Sequence, residues 1–530
     1  MINRKNWLLK KAKRVKNNKR FQTFVDAYAI KVKRKIDDAR KNFYNMKFAA
    51  CSNDSKKTWS LVNNILNYQR SSSSHISSLL SSNNIICTEA SDIANEFSNY
   101  FGCVASNLKS GMNHFIHNSN DFDSDYVHES FFFHPIDDYE IMCAIGSLKS
   151  NKSYDIFNMS NYLLKLVANF VTPSLKHIFN LCFENGTVPM TLKTAIVIPL
   201  HKSGSHTDPN NYRPIALQPV LLKVMEKVLK LRMDVFLRKH NVISNFQHGF
   251  RATFSTESAL IEFLNEVHES LNSSHSCAGL FVDIKKAFDM VDHNLLLHKL
   301  YKIGFRGNIF NWFRSYLENR NHIIKVNDTY SHPYILNIGV PQGSVLGPLL
   351  FLVYVNSIFS INLCGRIVAF ADDLGLSYRG PTSVDVGNSI NSDLLKIKKW
   401  FEYHALILSD KTKVMFFKVG MKKFNPPIIR FQCPFCSGND YCSSCLQIEL
   451  VEKFKYLGII LDCNLNWKPQ IAKVNNSLNS ALRSLYLLKS VAPKSCLIQF
   501  YFACVHSRLQ YAPPCWGGWY KSTLNILITA

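Results

Sequence analysis

Two acidic stations constrain this chain more than any other feature. Phe281-Val282-Asp283 and Phe370-Ala371-Asp372-Asp373 each place carboxylates directly after apolar residues. Each carboxylate is expected at the end of a buried strand, where an unpaired charge is costly. A divalent cation removes that cost. Two Mg²⁺ ions held about 3.5–4 Å apart by carboxylates serve in-line displacement at phosphorus. A lone aspartate in such a place more often ends a strand or caps a turn. Asp283, Asp372 and Asp373 flank the run Gly339-Val340-Pro341-Gln342-Gly343-Ser344-Val345-Leu346-Gly347-Pro348-Leu349-Leu350-Phe351 in this order, which favours a metal centre over three turn caps.

Other short motifs stand in a fixed order around these stations. They are Leu200-His201-Lys202-Ser203-Gly204, Asn211-Tyr212-Arg213-Pro214-Ile215, Gln247-His248-Gly249-Phe250-Arg251, Asp283-Ile284-Lys285-Lys286-Ala287-Phe288-Asp289 and Tyr456-Leu457-Gly458. Each alone is a weak signal. Together with the glycine-proline run and Ala371-Asp372-Asp373, they make the chain resemble the reverse transcriptases of LINE-type (non-LTR) retrotransposons, in the Jockey-like group. The resemblance covers most of the chain. It implies an α+β right-hand polymerase fold with fingers, an antiparallel palm sheet and a helical thumb, preceded by a basic helical N-terminal extension. The expected domains are residues 1–70 (basic helical extension), 71–185 (linker and helical pre-fingers region), 186–465 (fingers and palm, with a cysteine-rich insertion at 433–445) and 466–530 (a truncated helical thumb).

The implied activity is RNA-directed DNA polymerisation, extending a DNA primer on an RNA template with dNTPs. Asp283 and Asp372 would bridge two Mg²⁺ ions, with Asp373 a weaker partner. Mg²⁺ suits an all-oxygen site whose substrate brings phosphates. Arg213 and Lys202 would face the triphosphate, Arg as a planar fork and Lys as a point charge. Phe288 takes the family's steric-gate position, where a bulky ring meets a 2′-hydroxyl. Gln342 and Gly343 would meet the template–nucleotide layer. Lys411 fits the family's Lys-Thr pair near the leaving pyrophosphate. Gly249 and Arg251 are placed near template and nucleotide, although a tight glycine turn explains them almost as well. Asp289 and Asp292 read as local caps. Asn356-Ser357 departs from the family's usual Asn-Asp.

Composition agrees. With 62 Lys and Arg against 38 Asp and Glu, the net charge of +24 favours a polyanionic partner, nucleic acid before a membrane surface. Residues 1–57 carry 18 of the cations and 4 of the acids. There Phe21, Phe24, Val25, Tyr28, Val32 and Ile36 recur at helical spacing, so one face should pack while Lys and Arg cover the other. At 47% hydrophobic residues, the chain has material for a large core. No apolar run reaches the roughly 18 residues of a membrane span, so no membrane partner is expected. Fifteen cysteines without an N-terminal apolar signal core suggest reduced thiols inside a cell, and the nucleic-acid substrates that the resemblance implies suggest nucleus and cytoplasm.

Cys433-x2-Cys436-x5-Cys442-x2-Cys445 stands apart. Two Cys-x2-Cys pairs are a zinc signature. The family does not generally need zinc here, so a structural zinc site, unbound reduced thiols and redox chemistry all stay open. Catalytic zinc does not fit, because four thiolates leave no open position. Further on, Leu478, Leu482, Leu485 and Leu488 form one apolar stripe of the expected thumb. No nuclease domain is recognisable in the chain, so a target-primed reaction would need a nick from an external endonuclease. The alternatives are a truncated, inactive nucleic-acid-binding relic, a group II intron-like maturase, and an RNA-copying RNA polymerase, against which Phe288 argues.

Overall fold

Runs of aromatic and aliphatic residues build the central sheet. In a computed structural model of the chain, this sheet has five strands in the order Glu449–Leu450, Lys413–Phe417, Ser276–Val282, Asp373–Gly380, Arg366–Phe370. The described residues are 1–15, 18–51, 54–68, 76–81, 83–110, 126–418, 427–433, 436, 442–443 and 445–518. They divide into two units, one of Ser73–Leu465 and one of Met1–Ser72 with Asn466–Ala530.

In the larger unit, all the sheet's pairings are antiparallel except the short edge strand Glu449–Leu450, which runs parallel to Lys413–Phe417. Six of the seven residues of Ser276–Val282 are buried, so helices and loops cover both faces. Ala278, Leu280 and Val282 point into the main core with Leu374, Leu376, Val414 and Phe416. The opposite face carries Gly279 and Phe281. Phe281 stacks on Phe454 with centroids 4.5 Å apart and meets Phe263 and Tyr456. Burying one such ring contributes about 1.5–3 kcal/mol. Because side chains alternate along a strand, Asp283 emerges on this second face.

A second sheet joins Tyr212–Leu217, Thr194–His201 and Arg320–Val326, with Thr194–His201 antiparallel to the first and parallel to the last. Its buried Ala195, Val197, Tyr212 and Ile324 pack on Ile93, Ala94, Phe97 and Phe101 of the helix Ala90–Ser110. The helix runs on to Ser110, and Ala105 is buried. The helix Thr256–Asn272 begins at a reciprocal capping box between Ser255 and Ser258. Gly347–Val355 is a helix started by Pro348 and buried almost all round.

The smaller unit is helical. Ile2–Arg14 packs against Lys19–Ala50, and Trp59 meets Phe500 at 5.8 Å. Tyr68 and Ser484 share a hydrogen bond of 3.2 Å. The first and last segments of the chain thus form one body. The apolar stripe of Lys19–Ala50 is narrower than its spacing suggests. Val25 and Val32 are buried, whereas Phe24 and Ile36 face solvent. In Lys468–Lys489 the buried seam runs through Ile471, Val474, Leu478, Ala481, Ser484 and Leu488. Leu482 is exposed, so the leucine stripe was read slightly off the true contact line.

Candidate active site

Three carboxylates converge because two strands end together. Val282 pairs with Leu374, so one step further brings Asp283 level with Asp373. Asp372 and Ala371 form the tight connection between Phe370 and Asp373, which are paired. Ala371 adopts a left-handed φ of 60°, a conformation that persists in a non-glycine residue when its surroundings enforce it.

Those surroundings come from Gln247. Its Oε1 accepts from the backbone N–H of Ala371 and of Gly249, both at 2.9 Å. The adjoining backbone adds two rungs, His248 N–H to Ala369 O at 2.8 Å and Ala369 N–H to Phe246 O at 2.9 Å. Gly249 is needed for this approach, because a Cβ there would sit 2.3 Å from the Ala371 nitrogen. Asp283 is fixed from its other side. Its N–H donates to Thr412 Oγ1 at 3.2 Å, and its carbonyl accepts from Ser409 N–H at 2.8 Å.

The three acids sense one another. Burial raises the Asp372 pKa, and Asp283 raises it further. Asp373 reaches solvent at the turn, yet the protein atoms crowded around it push its carboxyl up to about 6, helped by Asp372 and Asp283. Lys202 and Arg213 oppose both shifts. Lys202 itself is pushed down by burial and by Arg213 and Lys411. One electrostatic neighbourhood therefore holds Asp283, Asp372, Asp373, Lys202, Arg213 and Lys411. Lys202 and Arg213 belong to neighbouring strands of the second sheet and their connection, and both side chains are exposed. An all-oxygen set of crowded carboxylates fits a hard divalent cation.

The glycine-proline run lies on the same side. Gly343 has φ 111°, and a Cβ would meet the Ala216 carbonyl at 2.6 Å. Ala216 N–H donates to Gln342 O at 2.7 Å. The Gln342 amide donates to Asp289 Oδ1 at 2.8 Å, so Asp289 orients Gln342 and is more than the local cap expected. Buried Glu226 accepts from Val345 N–H and from the Tyr316 hydroxyl, both at 2.6 Å. Phe288 is half-buried, stacked on Phe351 at 4.6 Å and edge-on to Phe250. Its carbonyl accepts from Val340 N–H at 2.9 Å.

Some expectations move. Arg251 donates to the carbonyls of Ser244 and Gln247 and lies over Phe254, so it braces its own loop. Asp292 caps His293–Lys302, as expected, and also pairs with Lys109, far away in sequence, at 2.8 Å. Ser357, where the family has Asp, receives bonds from Lys299 at 2.8 Å and Trp400 at 3.1 Å and touches His404 at 3.1 Å, all buried. Gln247, Asp289, Thr412 and Glu226 were not singled out for these tasks. Gln247 and Asp289 had a signal in the motifs that contain them, but all four act through contacts distant in sequence.

The sulfurs of Cys433, Cys436, Cys442 and Cys445 all lie within 4.8 Å of one another, away from these acids in the insertion between Lys413–Phe417 and Lys453–Tyr456. The cluster is compatible with zinc.

Residues 200–461 match the family described as reverse transcriptase (RNA-dependent DNA polymerase). Residues 200–461 thus carry a reverse transcriptase domain, and the chain is similar to the reverse transcriptases of Jockey-like, LINE-type elements. A probable RNA-directed DNA polymerase from transposon BS of Drosophila melanogaster is 27% identical over 407 residues, 74% of this chain and 43% of its own length. The RNA-directed DNA polymerase from mobile element jockey of the same species is 27% identical over 402 residues, 73% of this chain and 42% of its own. The putative 115 kDa protein of the type-1 element R1DM is 25% identical over 66% of this chain. The chain thus spans less than half the length of the first two relatives. The match implies a polymerase palm, with which the five-stranded sheet agrees, and domains of this kind generally use divalent metal ions. Among the described residues, no helix is long and apolar enough to cross a membrane.

Proposed function

We propose that the chain is an RNA-directed DNA polymerase that adds dNTPs to a DNA primer on an RNA template. The observation that carries this reading is the convergence of Asp283, Asp372 and Asp373 from adjacent palm strands, faced by Lys202 and Arg213. Asp283, Asp372 and Asp373 are assigned as the ligands of two Mg²⁺ ions. Bound there, Mg²⁺ would neutralise charge on the triphosphate and favour ionisation of the primer 3′-hydroxyl.

The protein's own groups do the rest. Arg213 and Lys202 hold phosphate oxygens. Gln247 and Thr412 keep the acidic ends in register before substrate arrives, so little reorganisation remains at the moment of reaction. Phe288, backed by Phe351, presents a rigid ring beneath the sugar and favours deoxynucleotides. Asp289 sets the rotamer of Gln342 beside the templating layer, with Gly343 allowing close backbone approach. Lys411 stands in the same field and is assigned a place near the departing pyrophosphate. The sheet containing Tyr212–Leu217 and Thr194–His201 is assigned to the fingers, the helices from Lys468 to the thumb, and the first 70 residues to a basic extension that contacts nucleic acid.

Primer extension tests the reading. Oligo(dT) on poly(rA) with dTTP and Mg²⁺ should be extended by the wild type and not by Asp372→Ala. Equal extension by both would reject the site assignment. Extension by neither, with primer–template binding intact, would leave a binding protein without polymerase activity.

A further inference from the structure

We propose that Cys433, Cys436, Cys442 and Cys445 bind one structural Zn²⁺, which clips the insertion to the back of the palm and sets its edge strand. The distances carry this assignment. The sulfur separations are 3.6 Å for Cys433–Cys436, 3.4 Å for Cys433–Cys442, 3.6 Å for Cys436–Cys445 and 3.9 Å for Cys442–Cys445. A tetrahedron with Zn–S bonds of about 2.3 Å has sulfur–sulfur edges of about 3.8 Å. A disulfide needs about 2.05 Å, so no pair in the cluster is drawn together as a disulfide. Four of the six sulfur pairs stand near that edge length and all six lie within 4.8 Å, as a closed site requires.

The backbone around the sulfurs has the matching form. Cys436 N–H donates to Cys433 O at 3.3 Å, and Cys445 N–H donates to Cys442 O at 3.1 Å. The two Cys-x2-Cys pairs therefore repeat the same backbone hydrogen bond. Cys433 N–H points at Cys445 Sγ from 3.4 Å, a contact that stabilises a thiolate and ties one turn to the other. Just outside the cluster, Arg430 pairs with Gln447 and Phe431 with Leu446 in a short antiparallel ladder. A ladder of two residues a side is marginal by itself. A cross-link at its end supplies what the ladder lacks.

The helix Ser383–Tyr403 shows what the clip would hold. Lys398 Nζ donates to Cys436 O at 2.6 Å, and Asn391 brackets the strand through Arg430 N–H and Ile428 O, both at 3.2 Å. Phe431 lies edge-on to Phe401, while Ile429 and Ile448 enter the main core. From Ile448 the chain passes directly into Glu449–Leu450, the parallel edge strand beside Lys413–Val414. The same neighbouring strand is preceded by Thr412, which holds Asp283. Four thiolates leave no open coordination position, so the ion is structural.

Metal analysis of the full chain, purified under reducing conditions, decides the matter. About one zinc per chain is expected, retained after dialysis with excess Mg²⁺. Co²⁺ exchanged into the wild-type protein should give the visible bands and sulfur-to-metal charge transfer of a tetrahedral tetrathiolate. Zinc should stay in Asp372→Ala and be lost from Cys433→Ser/Cys445→Ser. Stripping zinc with a chelator should lower the Tm and expose the insertion to limited proteolysis, with readdition reversing both. The Co²⁺ spectrum needs no variant to fold. Absence of stoichiometric metal, iron in place of zinc, an oxygen- or nitrogen-dominated Co²⁺ spectrum, or zinc kept by the double cysteine variant would each overturn the proposal.

Discussion

The acidic site and the cysteine cluster sit on one sheet and its insertion, yet they solve opposite problems. Asp283, Asp372 and Asp373 repel one another, stand partly open to solvent and depend on the surrounding backbone for their positions. The four thiols gather within 4.8 Å of one another. An open ring of hard oxygens leaves coordination positions for a substrate's phosphates. A closed set of soft sulfurs excludes substrate and serves only to hold chain. The contrast teaches that a metal site's purpose is written in how much of the coordination sphere the protein fills.

The sharpest way to break this comparison is at Asp372. Asp372→Asn should lower primer extension by about 10³-fold or more, since several kcal/mol of charge stabilisation depend on the acids. Its melting temperature should change little or rise, because a repulsive carboxylate is removed. A large drop in Tm would mean that Asp372 serves the fold. Gln247→Ala comes next. Losing the shared acceptor of two buried N–H groups should cost on the order of 1–3 kcal/mol, read as roughly ten- to hundred-fold lower kcat with a smaller change in KM. An unchanged kcat would show that the turn holds its shape unaided.

Phe288→Ala sharpens the comparison on the substrate side. Discrimination between dTTP and UTP should fall by about 10–100-fold, measured as the ratio of kcat/KM values. A proportional loss with both nucleotides would point to a damaged core, since Phe288 also stacks on Phe351. The smallest effect is expected at Ser357→Asp. Lys299 and Trp400 both donate toward this buried position, and a carboxylate can accept from both while neutralising the lysine. Denaturant melts should show a gain of about 1 kcal/mol; a loss would mean that the pocket is too tight for the larger group.

The central sheet was legible because the apolar runs that build its strands lead straight to acids. Lys202, Arg213 and Lys411, picked out by their motifs, share a field with those acids in the folded chain. What escaped was the support. Gln247 does its work through Ala371, 124 positions away, and Glu226 braces Val345 across 119. A local pattern carries no trace of such partners. The leucine stripe of Lys468–Lys489 was misplaced for a related reason. Ala481 and Ser484 fill close-packed positions that a search for large apolar residues passes over, while Leu482 faces outward. The cysteine spacing suggested a metal, but only the fold reveals that the insertion feeds an edge strand of the palm.

The contact of Gly249 with Ala371 has a consequence for how this chain can diversify. With 2.3 Å between a hypothetical Cβ and the Ala371 nitrogen, any other residue at 249 must displace the turn that bears Asp372. Position 249 carries no reactive group, yet it has no neutral neighbours in sequence space. Substitution of this silent-looking glycine should therefore disturb the acidic turn as surely as a change to the acids themselves.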